Sequence, residues 1–213
     1  MVLRRAMEMT YLAGMEFASD EYFMREALRQ ARRAYAADEV PCGAIIVREG
    51  EIIARAWNQV EMLKDATAHA EMLAITQAEA AIEDWRLNDC DLYVTKEPCP
   101  MCAGAIVHTR LRRVIFGCPD PRGGGAGGLV NILQMPQLNH RCVITSGILA
   151  DECAALLRDF FRAKREEAGV MKLTTTEREG MREVEQPEVG PQGETSWSER
   201  VKGNTETTEE RPI

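Results

Sequence analysis

Five β-branched runs, interleaved with stretches of helical spacing, constrain what this chain can fold into. "CGAIIVREGEIIARAW" (42–57) holds two of them around Glu49-Gly50, the pattern of a β-hairpin. "DLYVT" (91–95), "RRVIFG" (112–117) and "RCVITSGI" (141–148) supply three further strands. A helix from about Glu21 to Ala37 is expected, with Ser19 and Asp20 as caps and Phe23, Ala27, Ala31, Ala34 and Tyr35 as its buried stripe. "HAEMLAITQAEAAIEDW" (69–85) places Met72, Ile75 and Ala78 or Glu79 at helical intervals. "PMCAGAIVHTR" (100–110) opens on a proline, where a missing amide hydrogen costs a helix least. A last helix, capped by Asp151, carries Leu156, Leu157, Phe160 and Phe161. The polar residues 58–67 read as a loop, and glycine is too dense in "CPDPRGGGAGG" (118–128) for regular structure. This alternation predicts an α/β domain whose sheet is covered by helices.

The domain is expected over residues 19–169. Residues 1–18 read as an extension, with Met15 an alternative start. From about residue 170 to 213 the text turns acidic and polar, with nine apolar residues among 44. Such a segment buries too little area to offset its chain entropy, so disorder is expected there. The net charge is −8, and half of it falls on this tail, which holds six basic and ten acidic residues. An acidic total argues against indiscriminate nucleic-acid binding but leaves room for a local basic face. No run of about 18 apolar residues suggests a membrane span, and the N-terminus does not read as a secretory signal. Seven cysteines, only two of them closely spaced, fit a reducing cytoplasm, with a metal or catalytic role for the pair.

That pair stands in "EPCPMC" (97–102), about thirty residues after "TAHAE" (67–71). Zinc takes nitrogen and sulfur ligands in a tetrahedron, and a catalytic site keeps one position for water. His69, Cys99 and Cys102 supply three ligands. Cys99 and Cys102, three apart, lie side by side on the first turn of a helix. His69 begins another helix. Glu71 cannot share a regular helical face with His69, so both must sit at the helix entrance, with the carboxylate turned back toward the open metal position. There it can shuttle protons between an activated water and a substrate nitrogen, as hydrolytic removal of an amino group from an aromatic ring requires. His-x-Glu followed by Pro-Cys-x-x-Cys is the signature of the zinc deaminases of nucleobases. His108 and His140 are not expected as ligands, and the other five cysteines read as small buried apolar residues.

"PCGAIIV", "WN", "THAE" and "LYVTKEPCPMCAGAIVHTRLRRVIFG" together resemble the cytidine deaminase superfamily, and within it the bacterial tRNA-specific adenosine deaminases. The likeness continues through "NHR" (139–141) and "GILADECAALLRDFFR" (147–162), and spans about residues 20–166. It implies a three-layer α/β/α fold with a five-stranded mixed sheet, one zinc ion per subunit, a homodimer, and conversion of adenosine to inosine at the wobble position of an arginine tRNA anticodon. It further implies that Asn58 hydrogen-bonds the purine, that the Ala70 amide helps hold it, and that Val40 packs on the base. Asp120 falls in the loop that approaches the anticodon backbone. Phe160, Phe161 and Arg162 fall on the helix used beside the RNA.

Bland readings stand beside these. Asn58 could close a turn, Asp120 could be a solvated acid, and at least one of Phe160 and Phe161 belongs to the core. The glycines at 123–125 and 127–128 permit either close approach of an RNA backbone or a flexible turn. Arg110, Arg112, Arg113, Arg122, Arg141, Arg162, Lys164 and Arg165 could form a basic face or be separate solvated charges. The sequence departs from the family pattern at Lys96, where an apolar residue is usual, and at Cys42, Ala66 and Gly128. Two rival functions remain open: a deaminase of free guanine or cytosine-type substrates, and a non-catalytic RNA-binding scaffold that keeps zinc for stability.

Overall fold

The computed structural model describes residues 19–184, and side-chain surroundings through residue 168. The expected extension, 1–18, and residues 185–213 of the expected tail lie outside the described residues. The chain divides between Ala168 and Gly169 into two units, and the sheet belongs to the first.

Helix α1 spans Asp20–Ala36, with the Ser19 hydroxyl accepting from the Tyr22 amide at 3.1 Å. Strands β1 (Gly43–Arg48) and β2 (Glu51–Trp57) form the expected hairpin, and Glu49 and Gly50 at its turn both take positive φ. The expected loop 58–67 contains one short helix, α2 (Val60–Leu63). Helix α3 (Ala70–Ile82) leads to β3 (Cys90–Lys96), then α4 (Pro100–His108), β4 (Arg113–Cys118) and β5 (Val143–Ser146).

The last helix, α5, runs Ala150–Val184. Residues 170–184 are therefore helical where composition predicts disorder. Few apolar residues argue against burial rather than against a helix, and Glu, Arg, Lys, Met and Leu all favour helical backbone.

The five strands lie in the order β2-β1-β3-β4-β5. β1 is antiparallel to both β2 and β3, while β3, β4 and β5 run parallel. The sheet is thus mixed, as expected, and strand alternation divides the core in two. Ile45, Val47, Tyr93 and Ile115 face one layer, where they pack with Phe23, Met24 and Leu28 of α1 and Cys153 of α5. Ala44, Ile46, Leu92, Val94, Val114 and Phe116 face the other, against Ala74 and Ile75 of α3 and Ile106 of α4. The result is three layers, α/β/α. In α1 the expected stripe holds except at Tyr35, which is 37% exposed and packs edge-on to Phe160 instead.

Candidate active site

Strand direction gathers one group of chain segments at a single end of the sheet. Gly43 opens β1 opposite Trp57, the last residue of β2, and Lys96 closes β3 opposite Cys118, the last of β4. The segment before β1 (Glu39, Val40, Cys42), Asn58 after β2, and Glu97 to Cys99 after β3 therefore converge. The carboxyl ends of parallel strands are the usual location of ligand sites in open α/β sheets.

Two helices begin at this end. His69 is the N-cap of α3, with extended backbone (φ −70°, ψ 153°), and Cys99 is the N-cap of α4 (φ −70°, ψ 170°), followed by Pro100. Cys102 lies within the first turn of α4. His69 Nδ1 stands 3.6 Å from Cys99 Sγ and 3.5 Å from Cys102 Sγ. A tetrahedral zinc with bonds of ~2.3 Å to sulfur and ~2.05 Å to nitrogen requires about 3.6 Å between such atoms, so the spacing fits the ion. These three are the one such metal-ligand cluster among the described residues. His108 is exposed at the end of α4, and His140 Nε2 meets the Leu111 carbonyl at 2.7 Å, so neither joins it.

The thiols are electrostatically prepared for a cation. A hydrogen bond from Cys102, outweighing burial and joined by His69, holds the Cys99 thiol down to about 3. The same bond and burial push Cys102 up. Thiolate character is thus favoured at Cys99, and a dication held here would favour it at both sulfurs.

Glu71 sits in the first turn of α3 and is 5% exposed. Burial raises its carboxyl above the ordinary carboxylate range, against the lowering pull of its own backbone amide and of His69. A carboxyl group so raised holds a proton more readily than a free carboxylate and can pass it on to a bound base.

His69, Glu71 and Cys99 line a cavity of about 250 Å³, together with Val40, Cys42, Asn58, Lys96 and Glu97. Asn58 is buried, and its amide donates to the Glu39 carboxylate at 3.0 Å. Glu39, 1% exposed, also accepts from the Met62 amide at 2.6 Å, and so fixes the Asn58 side chain from behind. Ala70, fully buried, is the first residue of α3, where the backbone amide needs no intrahelical acceptor.

Glu97 explains the glycine density that follows. Its carboxylate, 2% exposed, accepts from the amides of Asp120 at 2.8 Å, Ala126 at 3.0 Å and Gly128 at 2.8 Å. A Cβ on Gly124 would lie 2.2 Å from that carboxyl carbon, and one on Gly128 would lie 2.5 Å from its oxygen. The loop is glycine-rich because it wraps a buried carboxylate, an alternative to both sequence readings. Glu39 and Glu97 were missed from sequence because each reads as an ordinary surface acid. The signal for Glu97 lay in the glycines downstream.

Other expected site residues stand apart from the cavity. Asp120 does not line it but ion-pairs with Lys96, which does, at 2.5 Å. Phe160 is core-like, 6% exposed, and Phe161 is 45% exposed. Phe161 and Arg162 border a separate groove with Arg122, Arg158 and Arg165. Four members of the proposed basic face are ion-paired: Arg112 with Asp91, Arg113 with Asp20, Arg162 with Asp159, and Lys164 with Asp38 and Glu167. Among the five remaining cysteines, Cys90, Cys118, Cys142 and Cys153 are buried, and Cys42 is partly so.

Comparison with known proteins decides the family. The cytidine and deoxycytidylate deaminase zinc-binding region matches residues 17–118. The tRNA-specific adenosine deaminase of Bacillus subtilis is 50% identical over 146 residues, 68% of this chain and 91% of the relative. That of Aquifex aeolicus is 51% identical over 145 residues, 68% of this chain and 95% of the relative. The chain belongs to the tRNA-specific adenosine deaminase family.

The family's zinc-binding region and the fitting His-Cys-Cys cluster make zinc its cofactor. Among solved structures, one from studies of A-to-I editing by tRNA:A34 deaminases at the wobble position of transfer RNA is 44% identical. It covers 64% of this chain and 99% of its own, with a TM-score of 0.62. A guanine deaminase from Nitrosomonas europaea is 27% identical, with a TM-score of 0.60 over 67% of this chain and 85% of its own. The three-layer fold is thus common to deaminases of different substrates, and the closer sequence likeness lies with the tRNA enzymes.

Proposed function

We propose that this chain deaminates adenosine to inosine in tRNA, at the wobble position of an arginine tRNA anticodon. The observation that carries the reading is one cavity in which a buried, proton-competent Glu71 adjoins the His69, Cys99 and Cys102 cluster and the fixed amide of Asn58. Relatives at about half identity over nearly their full length support the tRNA substrate.

Zinc held by His69, Cys99 and Cys102 supplies the Lewis acid that lowers the pKa of water to about 7. Glu71 takes a proton from the attacking water and gives it to ring N1 as the C6–O bond forms, then carries the proton of the new C6 hydroxyl to the amino group, which leaves as ammonia as the C6–N bond breaks and C6=O forms. Asn58, braced by Glu39, hydrogen-bonds the purine, the Ala70 amide holds it from the helix start, and Val40 packs on its face. The base must leave its stack to reach these groups, which suits a single-stranded anticodon loop. Phe161 and Arg162 contact the RNA around that base, supported by the arginine-lined groove they border, while buried Phe160 packs between Tyr35 and Phe161 and so backs that contact, and Asp120 acts through the Lys96 ammonium it holds.

The working form is a homodimer. Leu129, Val130, Met135 and Leu138 in the loop between β4 and β5 expose apolar side chains that a second copy would cover. The location is cytoplasmic, in keeping with seven free cysteines. No helix among the described residues is long and apolar enough to cross a membrane.

Ammonia release from a transcribed arginine tRNA, compared with free adenosine, guanine and cytidine, tests the substrate. Release from the tRNA and none from the small molecules is expected. Turnover of free guanine with none of the tRNA would transfer the chain to the other reading, which the guanine deaminase likeness represents.

A further inference from the structure

The cavity is acidic. Glu39, Glu61, Glu71 and Glu97 all line it, and Lys96 is the one Lys or Arg that does so. A polyanion approaching such a rim meets repulsion unless a cation is placed at the entry. Lys96 ends β3, three residues before Cys99, and its side chain is about one-third exposed. Asp120 is its one hydrogen-bond partner among the described residues. An ammonium has three donors, so two remain for another acceptor.

Asp120 is itself held firmly. One carboxylate oxygen accepts from the Arg122 amide at 3.0 Å and the Gly123 amide at 3.1 Å, and the other meets Lys96. Its own amide donates to Glu97. The carboxylate therefore aims the ammonium, and no long flexible search is left to the lysine.

We infer that Lys96, aimed by Asp120, is a positioning residue that binds a backbone phosphate of the RNA strand beside the extruded base. The inference rests on the RNA substrate proposed above. A compact, strongly hydrated ammonium is suited to phosphate, whereas the base offers only neutral acceptors. The extruded nucleotide brings its base into the cavity and its phosphates to the mouth, and Lys96 is the lining cation, one-third exposed, that can meet them. Lys96 thereby offsets the charge of the surrounding carboxylates for this substrate and not for a neutral nucleoside.

The test compares wild type, Lys96→Met and Asp120→Asn on an anticodon stem-loop RNA, measuring binding and steady-state deamination between 50 and 300 mM salt. Zinc content and thermal unfolding are recorded for each protein. Loss of one phosphate contact on a single strand lowers the magnitude of the negative slope of log K against log salt by about 0.7. Lys96→Met is expected to show that decrease and to raise KM roughly tenfold, as loss of a charge-assisted bond does, with kcat within about twofold. Asp120→Asn keeps the cation but loosens its aim, and is expected to retain the wild-type slope while raising KM about two- to fivefold. A Lys96→Met protein with an unchanged slope, or with its loss confined to kcat or stability, would overturn the inference and leave the pair as a latch on the glycine loop. A wild-type chain that neither binds nor deaminates the RNA would reject the substrate reading and the phosphate contact with it.

Discussion

At the residue scale, Glu71 concentrates the chemistry. Burial raises its carboxyl above the ordinary range, and in the proposed role it must begin each cycle ionised to accept a proton from water. The acid limb of kcat/KM should therefore fall at a pH above the ordinary carboxylate value, and activity should be lost as pH drops through it. Glu71→Ala should keep one zinc per chain and cut kcat by roughly 10²–10⁴-fold, the usual contribution of a positioned general acid–base. Metal analysis with single-turnover rates checks both, and near-normal turnover would remove the proposed shuttle. His69, Glu71, Cys99 and Cys102 were legible in the sequence because coordination chemistry restricts residue type and spacing together. Glu39 was not. Its role as a brace for Asn58 depends on a partner nineteen positions away, and nothing local distinguishes it from a solvated acid.

At the element scale, two attachments hold the site's frame. The loop after β4 is built around Glu97, and Gly124 is its tightest point. Gly124→Ala should force the loop off the carboxylate and cost about 1–3 kcal/mol, through overpacking and loss of hydrogen bonds to a buried charge. Denaturant unfolding measures this, and an unchanged midpoint would show that the loop does not need the close approach. The second attachment ties α1 to the sheet. Asp20 accepts from Tyr93 of β3 and Arg113 of β4, each at 2.7 Å. Partial burial pulls its pKa up, but those two bonds and the Arg113 charge prevail and hold it below the ordinary carboxylate range. A depressed folded pKa adds stability above the unfolded value, and that stability fades as pH falls through the folded one. Asp20→Asn should thus cost about 1 kcal/mol at pH 7, allowing for its partial exposure, and the deficit should shrink below about pH 4. The strands and helices were legible because period 2 and period 3.6 patterns record which side is buried. Tyr35 and helix α2 were not, since an aromatic at helical spacing and a polar stretch each fit two environments.

At the scale of the whole molecule, the sheet's mixed topology brings the start of β1 and the ends of β2, β3 and β4 to one rim, and two helices begin there with His69 and Cys99 at their N-caps. The α/β class followed from the alternation of elements and the five-stranded mixed sheet only from resemblance, whereas the strand order was not legible, because pairing between distant segments leaves no local trace. The helical course of residues 170–184 shows the converse limit: composition speaks to burial and says little about backbone conformation. The most direct measurement is inosine detection by sequencing a transcribed arginine tRNA after incubation with the zinc-loaded chain. The account predicts adenosine replaced by inosine at the wobble position alone, and none with Glu71→Ala carrying equal zinc. An unaltered tRNA, or conversion that survives loss of the Glu71 carboxylate, would contradict it.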